Sequence, residues 1–185
     1  MRFHERSLTA LAAAVSAVVG GVGCGSSTPS TPDDGSCTME QVSVPNEGWL
    51  HVLEGSAITY AHNPPASGPH YPVWLRYEAY STTMARGYWV HNLEHGAIVM
   101  LYRPDAPAAV VQALQAAYRG LPDDPLCGHS RALLTPDPQL NSPAAVVAAD
   151  FVLRGACVSP NAINQFVTTH RNRGPEQICA GGPRP

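Results

Sequence analysis

The chain has 185 residues, of which 44% are hydrophobic and 14% are charged, and its formal net charge is −3. This composition suits one compact domain, and the negative balance provides no basic surface for nucleic acid. All eleven basic residues are arginine, which excludes a Walker A lysine, a Schiff base to a cofactor and a lysine general base.

Residues 1–23 are typical of a lipoprotein signal peptide. Arg2 and Arg6 give a basic start, and the apolar run "LTALAAAVSAVV" leads to the small residues "GVG" before Cys24. We expect export, and a lipid on Cys24 that anchors the protein to a membrane of the cell envelope, on its periplasmic or outer side. The alternative is ordinary secretion, with Cys24 lost or unmodified. Residues 24–36 form a Ser/Thr/Pro-rich tether.

Four further cysteines follow the tether. They are Cys37, Cys127, Cys157 and Cys179. An even number in an exported domain predicts two disulfides, for which three pairings are possible. We favour Cys127–Cys157, which would clamp a hairpin, and Cys37–Cys179, which would join the two ends of the domain. The absence of a CxxC pair argues against a zinc ribbon.

The predicted strands follow a stretch, residues 37–80, that is rich in proline, glycine and aromatic residues. "RGYWV" and "GAIVMLY" predict two strands around a turn at "HNLEH", because aromatic and β-branched residues favour extended backbone. "RALLT" and "AAVVAADFVL" predict two more strands, joined by a proline-rich loop.

Two helices complete the predicted elements. The first, "DAPAAVVQALQAAYRG", is capped by Asp105 and ends at Gly120. Its apolar face consists of Val110, Val111, Leu114, Ala117 and Tyr118. The second, "SPNAINQFVTTHR", is capped by Ser159, has Pro160 in its first turn and turns Ile163, Phe166 and Val167 inward. This order predicts a single α+β domain over residues 37–180, with a mainly antiparallel sheet, two helices on one face and a flexible tail at 181–185.

Two histidines in "HNLEHG" are candidate metal ligands. In a hairpin, His91 and His95 would face each other with Cβ atoms about 5 Å apart. In a helix, their i, i+4 spacing would also place them on one face. Both conformations bring two imidazoles close enough to share one metal ion.

His70 is the third candidate ligand, because the prolines and Gly68 of "NPPASGPH" can hold it in a fixed position. Three histidines with an open position activate water on zinc, and the same ligands suit copper, to which Met84 or Met100 could add a sulfur. Glu94 is a further ligand, a partner for an imidazole or a catalytic base.

Two other interpretations of "HNLEH" remain. The histidines could build the turn through hydrogen bonds to backbone, with Glu94 as their partner. The letters also match HxxEH, the inverted zinc-protease pattern, which requires a helix. Because the flanking residues favour strands, we expect no protease site here.

Aromatic residues crowd between His70 and His91. With Asn63, the residues Tyr71, Trp74, Tyr88 and Trp89 could line a pocket beside the histidines or stack on a glycan. The alternative is that these rings form part of the core.

The motifs "NPPASGPHYPVW" and "GYWVHNLEHGAIVMLY" resemble those of the bacterial family called domain of unknown function 3105, over about residues 60–170. This resemblance implies an exported or membrane-anchored protein whose histidine-bearing elements define the domain, but it implies no reaction and no substrate. We therefore predict an envelope protein that binds zinc or copper through His70, His91 and His95, for metal handling or metal-dependent catalysis. The alternative is a non-enzymatic module that binds a glycan, a small molecule or an envelope protein. The oligomeric state stays open.

Overall fold

The computed structural model describes residues 37–183, which form one α+β domain. Its elements are β1 (Glu40–Ser43), α1 (Arg86–Glu94), β2 (Ile98–Tyr102), α2 (Ala108–Arg119), β3 (Ala132–Pro136), β4 (Ala144–Ala148), β5 (Phe151–Gly155) and α3 (Pro160–His170). The strands form one sheet in the order β1-β5-β4-β2-β3. The α+β class is confirmed, but the sheet is mixed, because β2 and β3 are parallel, and the described residues contain three helices instead of the predicted two.

The predicted signal peptide, Cys24 and the tether lie outside the described residues. Within residues 37–183, no helix is long and apolar enough to cross a membrane. Part of the predicted tail is described: the Gly182 N–H donates to the Leu75 carbonyl at 3.0 Å.

The parallel pairing of β2 with β3 follows from the helix between them, since a helical crossover returns the chain to run in the same direction. This helix, α2, ends at Gly120 as predicted and buries Leu114 and Ala117. The predicted cap at Asp105 is wrong. Pro107 occupies the capping position without a side-chain hydrogen bond, and the Asp105 carboxylate accepts from Arg103.

The second half of the chain differs from prediction at one turn. "AAVVAADFVL" contains two strands, β4 and β5, rather than one. Asp150 joins them with a φ of 64°, a left-handed conformation that aspartate tolerates better than β-branched residues do. Helix α3 is confirmed: the Ser159 side chain accepts from the Ala162 N–H, Pro160 begins the helix, and the residues predicted to face inward are buried.

Helices cover both faces of the sheet, not one as predicted. Because successive strand residues point to opposite faces, Ile98 and Met100 pack on one side and Val99 and Leu101 on the other. The first face is covered by α2 and α3 through Leu114, Ala117, Ile163, Phe166 and Val167. The second face is covered by α1 through Trp89, Val90 and Leu93.

The prediction of a strand at "GYWV" is wrong, because these residues belong to α1. Trp89 and Val90 lie one turn before Leu93, so the helix places all three against the sheet. Gly96 ends the helix with a φ of 79°, and its N–H donates to the Leu93 carbonyl while Ala97 donates to Asn92. This is a Schellman motif, which requires the glycine. Packing on the sheet has overridden the strand preference of the aromatic and β-branched residues.

The four cysteines form two disulfides, as predicted, but the predicted pairing is wrong. The bonds are Cys37–Cys157 and Cys127–Cys179. In the antiparallel pair β1 and β5, Glu40 lies opposite Arg154. Cys37 and Cys157 each lie three residues beyond this pair, so they meet at the end of the two strands. β3 and β5 are separated by β4 and β2, which keeps Cys127 away from Cys157.

Candidate metal centre

One face of α1 is polar although it is buried. His91, Glu94 and His95 follow the i, i+3, i+4 spacing, so they share the side of the helix that does not pack on the sheet. Their exposed fractions are only 3%, 5% and 1%. Burial of three ionisable groups is costly unless each is paired, so their contacts define what this face can do.

His70 lies opposite this face and is fully buried. Its backbone is held between two residues of the 50–52 segment: the His70 N–H donates to Leu50, and the Val52 N–H donates to His70, at 2.9 and 2.8 Å. Gly68, with a φ of 123°, makes the sharp turn that precedes it. The 50–52 segment and the Gly68 turn therefore fix the backbone of His70.

Backbone carbonyls orient two of the imidazoles. His70 Nδ1 lies 2.9 Å from the Gly68 carbonyl oxygen, and His91 Nδ1 lies 2.6 Å from that of Tyr71. A carbonyl oxygen only accepts, so both Nδ1 atoms carry the hydrogen. In the neutral rings each Nε2 atom then presents a lone pair. Metal-binding histidines are commonly held in this way by an acceptor on the far ring nitrogen.

Both Nε2 atoms lie near a carboxylate. Glu94 Oε2 lies 3.0 Å from His70 Nε2 and 3.7 Å from His91 Nε2. These atoms are all acceptors when the imidazoles are neutral and the carboxylate is ionised, so they repel unless a proton or a cation lies between them. A metal ion would satisfy all three atoms at once, whereas a single proton satisfies one pair.

His51 completes the group. Its Nε2 atom lies 3.5 Å from Glu94 Oε2, and its ring stacks on His91 with centroids 5.0 Å apart. The ligand atoms of His51, His70, His91 and Glu94 all lie within 4.8 Å of one another. A tetrahedral ion with bonds of roughly 2.1 Å has ligands about 3.4 Å apart, which is close to the distances from Glu94.

His95, the other predicted ligand, lies beside this group. Its Nε2 atom is 3.1 Å from His91 Nε2 and 3.3 Å from Glu176 Oε2. With Glu94 and Glu176 it forms a second group of three potential ligands. Trp74 packs against both histidine rings, at 5.0 Å from His91 and 4.5 Å from His95.

Burial keeps the imidazoles neutral. It lowers the pKa of His70 and of His91. Burial together with the nearby imidazoles lowers the pKa of His95 to about 3. Burial also raises the pKa of Glu94. Neutral imidazoles are the form that binds a metal, so protons compete little for these histidines.

The predicted pocket residues do not line one pocket. Trp89 is fully buried in the core, and Trp74 covers the histidines. Tyr88 donates to Glu54 Oε1 at 2.6 Å. Asn63 and Tyr71 border a cleft of about 640 Å³ near the start of α1. Since most of these rings are used inside the domain, they offer little free surface for stacking on a glycan.

Of the two methionines considered for copper, Met100 lies in the core under α2 and α3, on the sheet face opposite α1. Met84 packs at the edge of the core on the α1 face. The described ligand groups therefore consist of imidazoles and carboxylates.

Two residues of the site were missed from the sequence. His51 is 18 residues away from His70 in the sequence, and only the bridge between their backbones brings them together. Glu176 was missed because it lies in irregular chain after α3. The HxxEH pattern requires a helix, and α1 is one. The expectation that strands at this position exclude a protease site is therefore wrong.

Comparison with known proteins confirms the predicted family. The family model described as protein of unknown function DUF3105 matches residues 51–181. No curated protein and no solved structure matches the sequence. The matched range contains the whole histidine cluster and Glu176, and it covers more than half of the chain. The chain therefore belongs to the DUF3105 family.

Proposed function

We propose that this protein binds a transition metal ion through His51, His70, His91 and Glu94, and that it handles the metal rather than using it in catalysis. One observation carries the proposal: the carbonyl-oriented Nε2 atoms of His70 and His91 face the Glu94 carboxylate across 3.0 and 3.7 Å. Without a cation or a shared proton this arrangement is repulsive. The sheet, α1 and the 63–70 loop hold it in place.

The number of protein ligands favours metal carriage over metal-dependent catalysis. Structural and storage sites close the coordination shell with protein atoms, whereas catalytic sites keep a position for water. Four ligand atoms converge here. The side chain of His51 is 50% exposed, whereas that of His70 is fully buried. Exchange of His51 for a ligand from outside would give the ion a route in and out.

Three imidazoles and one carboxylate suit Zn²⁺ and Cu²⁺. Copper(I) prefers sulfur ligands, and the described groups contain none. We propose zinc as the first ion to test, with copper(II) as the alternative.

Export and lipid anchoring are part of the proposal. The basic start, the apolar run and the small residues before Cys24 support a lipoprotein signal. Two disulfides support an oxidising compartment. Cys24→Ala should move the protein from the membrane fraction to the soluble fraction, and retention in the membrane would contradict anchoring through this cysteine.

The test of metal binding is zinc and copper content by elemental mass spectrometry, on the tag-free full chain folded under oxidising conditions. We expect one equivalent or more in the wild type and a loss of bound metal in His51→Ala after dialysis. His62→Ala is the matched control, since His62 is a part-exposed histidine 2.8 Å from a carboxylate, that of Glu47, outside the cluster. No metal in the wild type after reloading would overturn the proposal.

A second candidate is metal-dependent hydrolysis, because α1 places His91, Glu94 and His95 on one face as HxxEH requires. The two functions assign Glu94 different roles. If Glu94 is a ligand, Glu94→Gln should weaken zinc affinity. If Glu94 is a catalytic base, Glu94→Gln should leave zinc bound and abolish hydrolysis. The distance of 3.0 Å to His70 favours the ligand.

A further inference from the structure

We infer that a second divalent cation binds next to the first, held by His95 and Glu176, with Glu94 bridging the two ions. This inference rests on the proposed function and extends it from one ion to a pair. The observation behind it is that two ligand groups share a single residue: Glu94 belongs to the group of His51, His70 and His91 and also to that of His95 and Glu176.

A carboxylate has two oxygens and can bind one ion through each. Protein sites that use this arrangement hold their ions roughly 3.5–4 Å apart. Here the His91 and His95 Nε2 atoms, one from each group, lie 3.1 Å apart. His91 Nε2 carries a lone pair, because its Nδ1 donates to the Tyr71 carbonyl, so in the metal-free protein His95 Nε2–H donates to His91 Nε2. With both ions bound, the His95 hydrogen would move to Nδ1, and the two Nε2 ligands would lie side by side along α1, one turn apart.

Glu176 is held beside His95 by the chain that follows α3. Its N–H donates to the Glu94 carbonyl at 3.0 Å. Gly174 approaches the same carbonyl so closely that a Cβ at this position would overlap it. The Glu176 carboxylate is therefore placed at the site by backbone contacts with α1.

Two anchors fix this segment further along. The buried Arg131 guanidinium donates to the carbonyls of His95 and Ile178, at 2.6 and 3.0 Å. The Cys127–Cys179 disulfide then ties the segment to the loop before β3. One buried arginine thus joins the end of α1 to the segment that carries Glu176. This contact fixes the positions of His95 and Glu176 relative to each other.

The second ion should bind more weakly than the first. His70 and His91 are each oriented by a backbone carbonyl, but His95 Nδ1 is buried and has no hydrogen-bond partner among the described residues. Glu176 has a side chain that is 50% exposed. A less fixed imidazole and a solvated carboxylate must lose more freedom and more hydration on binding. One imidazole and two carboxylates suit Zn²⁺, and Mn²⁺ accepts the same ligands.

The test is native mass spectrometry of the full, disulfide-bonded chain during titration with zinc. We expect two ions that bind in two steps. Glu176→Gln should remove the weaker step, with at least a 10-fold loss of affinity, and leave the first unchanged. Glu40→Gln is the control, since Glu40 is a comparably exposed glutamate paired with Arg154 on the far edge of the sheet.

Each outcome separates the two proposals. Two steps in the wild type and one in Glu176→Gln would support the pair of ions. One step in the wild type would overturn the second site and leave the proposed function standing. Two unchanged steps in Glu176→Gln would also overturn the inference. No bound zinc at all would overturn the proposed function itself. Spin coupling between two Co²⁺ ions in the cobalt-loaded protein, lost in Glu176→Gln, is a second readout.

Discussion

The two faces of the sheet differ in what lies beyond the first apolar layer. Under α2 and α3, the core is aliphatic and aromatic, and these helices turn polar residues to solvent. Under α1, the helix packs Trp89, Val90 and Leu93 on the sheet, but its other side is buried again, against imidazoles and a carboxylate. The face under α2 and α3 is an apolar core alone, whereas the apolar core under α1 also supports the candidate metal site.

Buried histidines on the two faces make the contrast sharper. His170, in α3, is 5% exposed, and neither of its ring nitrogens has a hydrogen-bond partner within residues 37–183. Its ring stacks on Phe151 with centroids 4.0 Å apart. His70 is equally buried, but its two nitrogens lie 2.9 and 3.0 Å from oxygen atoms. Burial alone therefore does not mark a histidine as a ligand. Orientation of the ring by a backbone carbonyl, with a second acceptor facing the other nitrogen, is the stronger indication.

The largest expected effect is a loss of stability caused by a substitution on the apolar face, under α2 and α3. Leu114→Ala removes a fully buried side chain under α2, and we expect it to lower the free energy of unfolding by about 2–5 kcal/mol. Zinc affinity should stay unchanged, because the site lies across the sheet. Urea denaturation and zinc titration measure the two quantities. Gln112→Ala, at an exposed position of α2, is the control, and a large fall in zinc affinity in Leu114→Ala would break the separation between the faces.

The next effect is on metal binding. His70→Ala should weaken zinc affinity by more than about 100-fold, since loss of an outer-shell partner alone costs 10- to 100-fold in known sites. His170→Ala should leave zinc affinity unchanged, although it also removes a buried imidazole. Competition with a chromophoric chelator measures both variants, with circular dichroism to check folding. Equal effects of the two substitutions would mean that the cluster is ordinary core.

The pH dependence of the metal-free protein tests the electrostatics. Burial lowers the pKa of His70, His91 and His170, and that of His95 to about 3, so below about pH 6.5 the unfolded chain takes up protons that the folded chain does not. These groups should therefore lower the stability as the pH falls from 7 to 5. The raised pKa of Glu94 acts in the opposite sense, because the folded state then holds a proton that the unfolded state has released.

We expect the histidines to outweigh the single carboxyl group, so the melting temperature of the chelated protein should fall on acidification. Added zinc should raise it at pH 7 and raise it less at pH 5, since a proton on Glu94, whose pKa burial raises, competes with the metal. Thermal melts from pH 8 to pH 5, with zinc and with chelator, measure this. A melting temperature that rises on acidification in chelator would contradict the lowered histidine pKa values.

Sequence patterns predicted the elements whose apolar periodicity is simple. Strands β2 to β4 and helices α2 and α3 follow runs or stripes of aliphatic residues, and Ser159 marks the start of α3 as a capping residue should. Helix α1 was missed because it is short, has no side-chain cap and is buried nearly all round. The Schellman glycine, Gly96, was the local signal for its end.

The site was predicted in part, for a physical reason. The pairing of His91 with His95 holds for a helix and for a hairpin alike, so the error in secondary structure did not affect it. His51 and Glu176 depend on contacts between distant parts of the chain that no local pattern encodes. The disulfide pairing was wrong for the same reason, because it depends on which strands are neighbours in the sheet.

Anomalous diffraction at the zinc edge from crystals of the zinc-loaded protein would locate the ion itself. We expect a peak at about 2.0–2.2 Å from His70 Nε2, His91 Nε2 and a carboxylate oxygen of Glu94. This expectation would be contradicted by the absence of a peak in the cluster, with His70 Nε2 and Glu94 Oε2 still 3.0 Å apart. In that case a shared proton, and not a metal, would hold the buried histidines and Glu94 together.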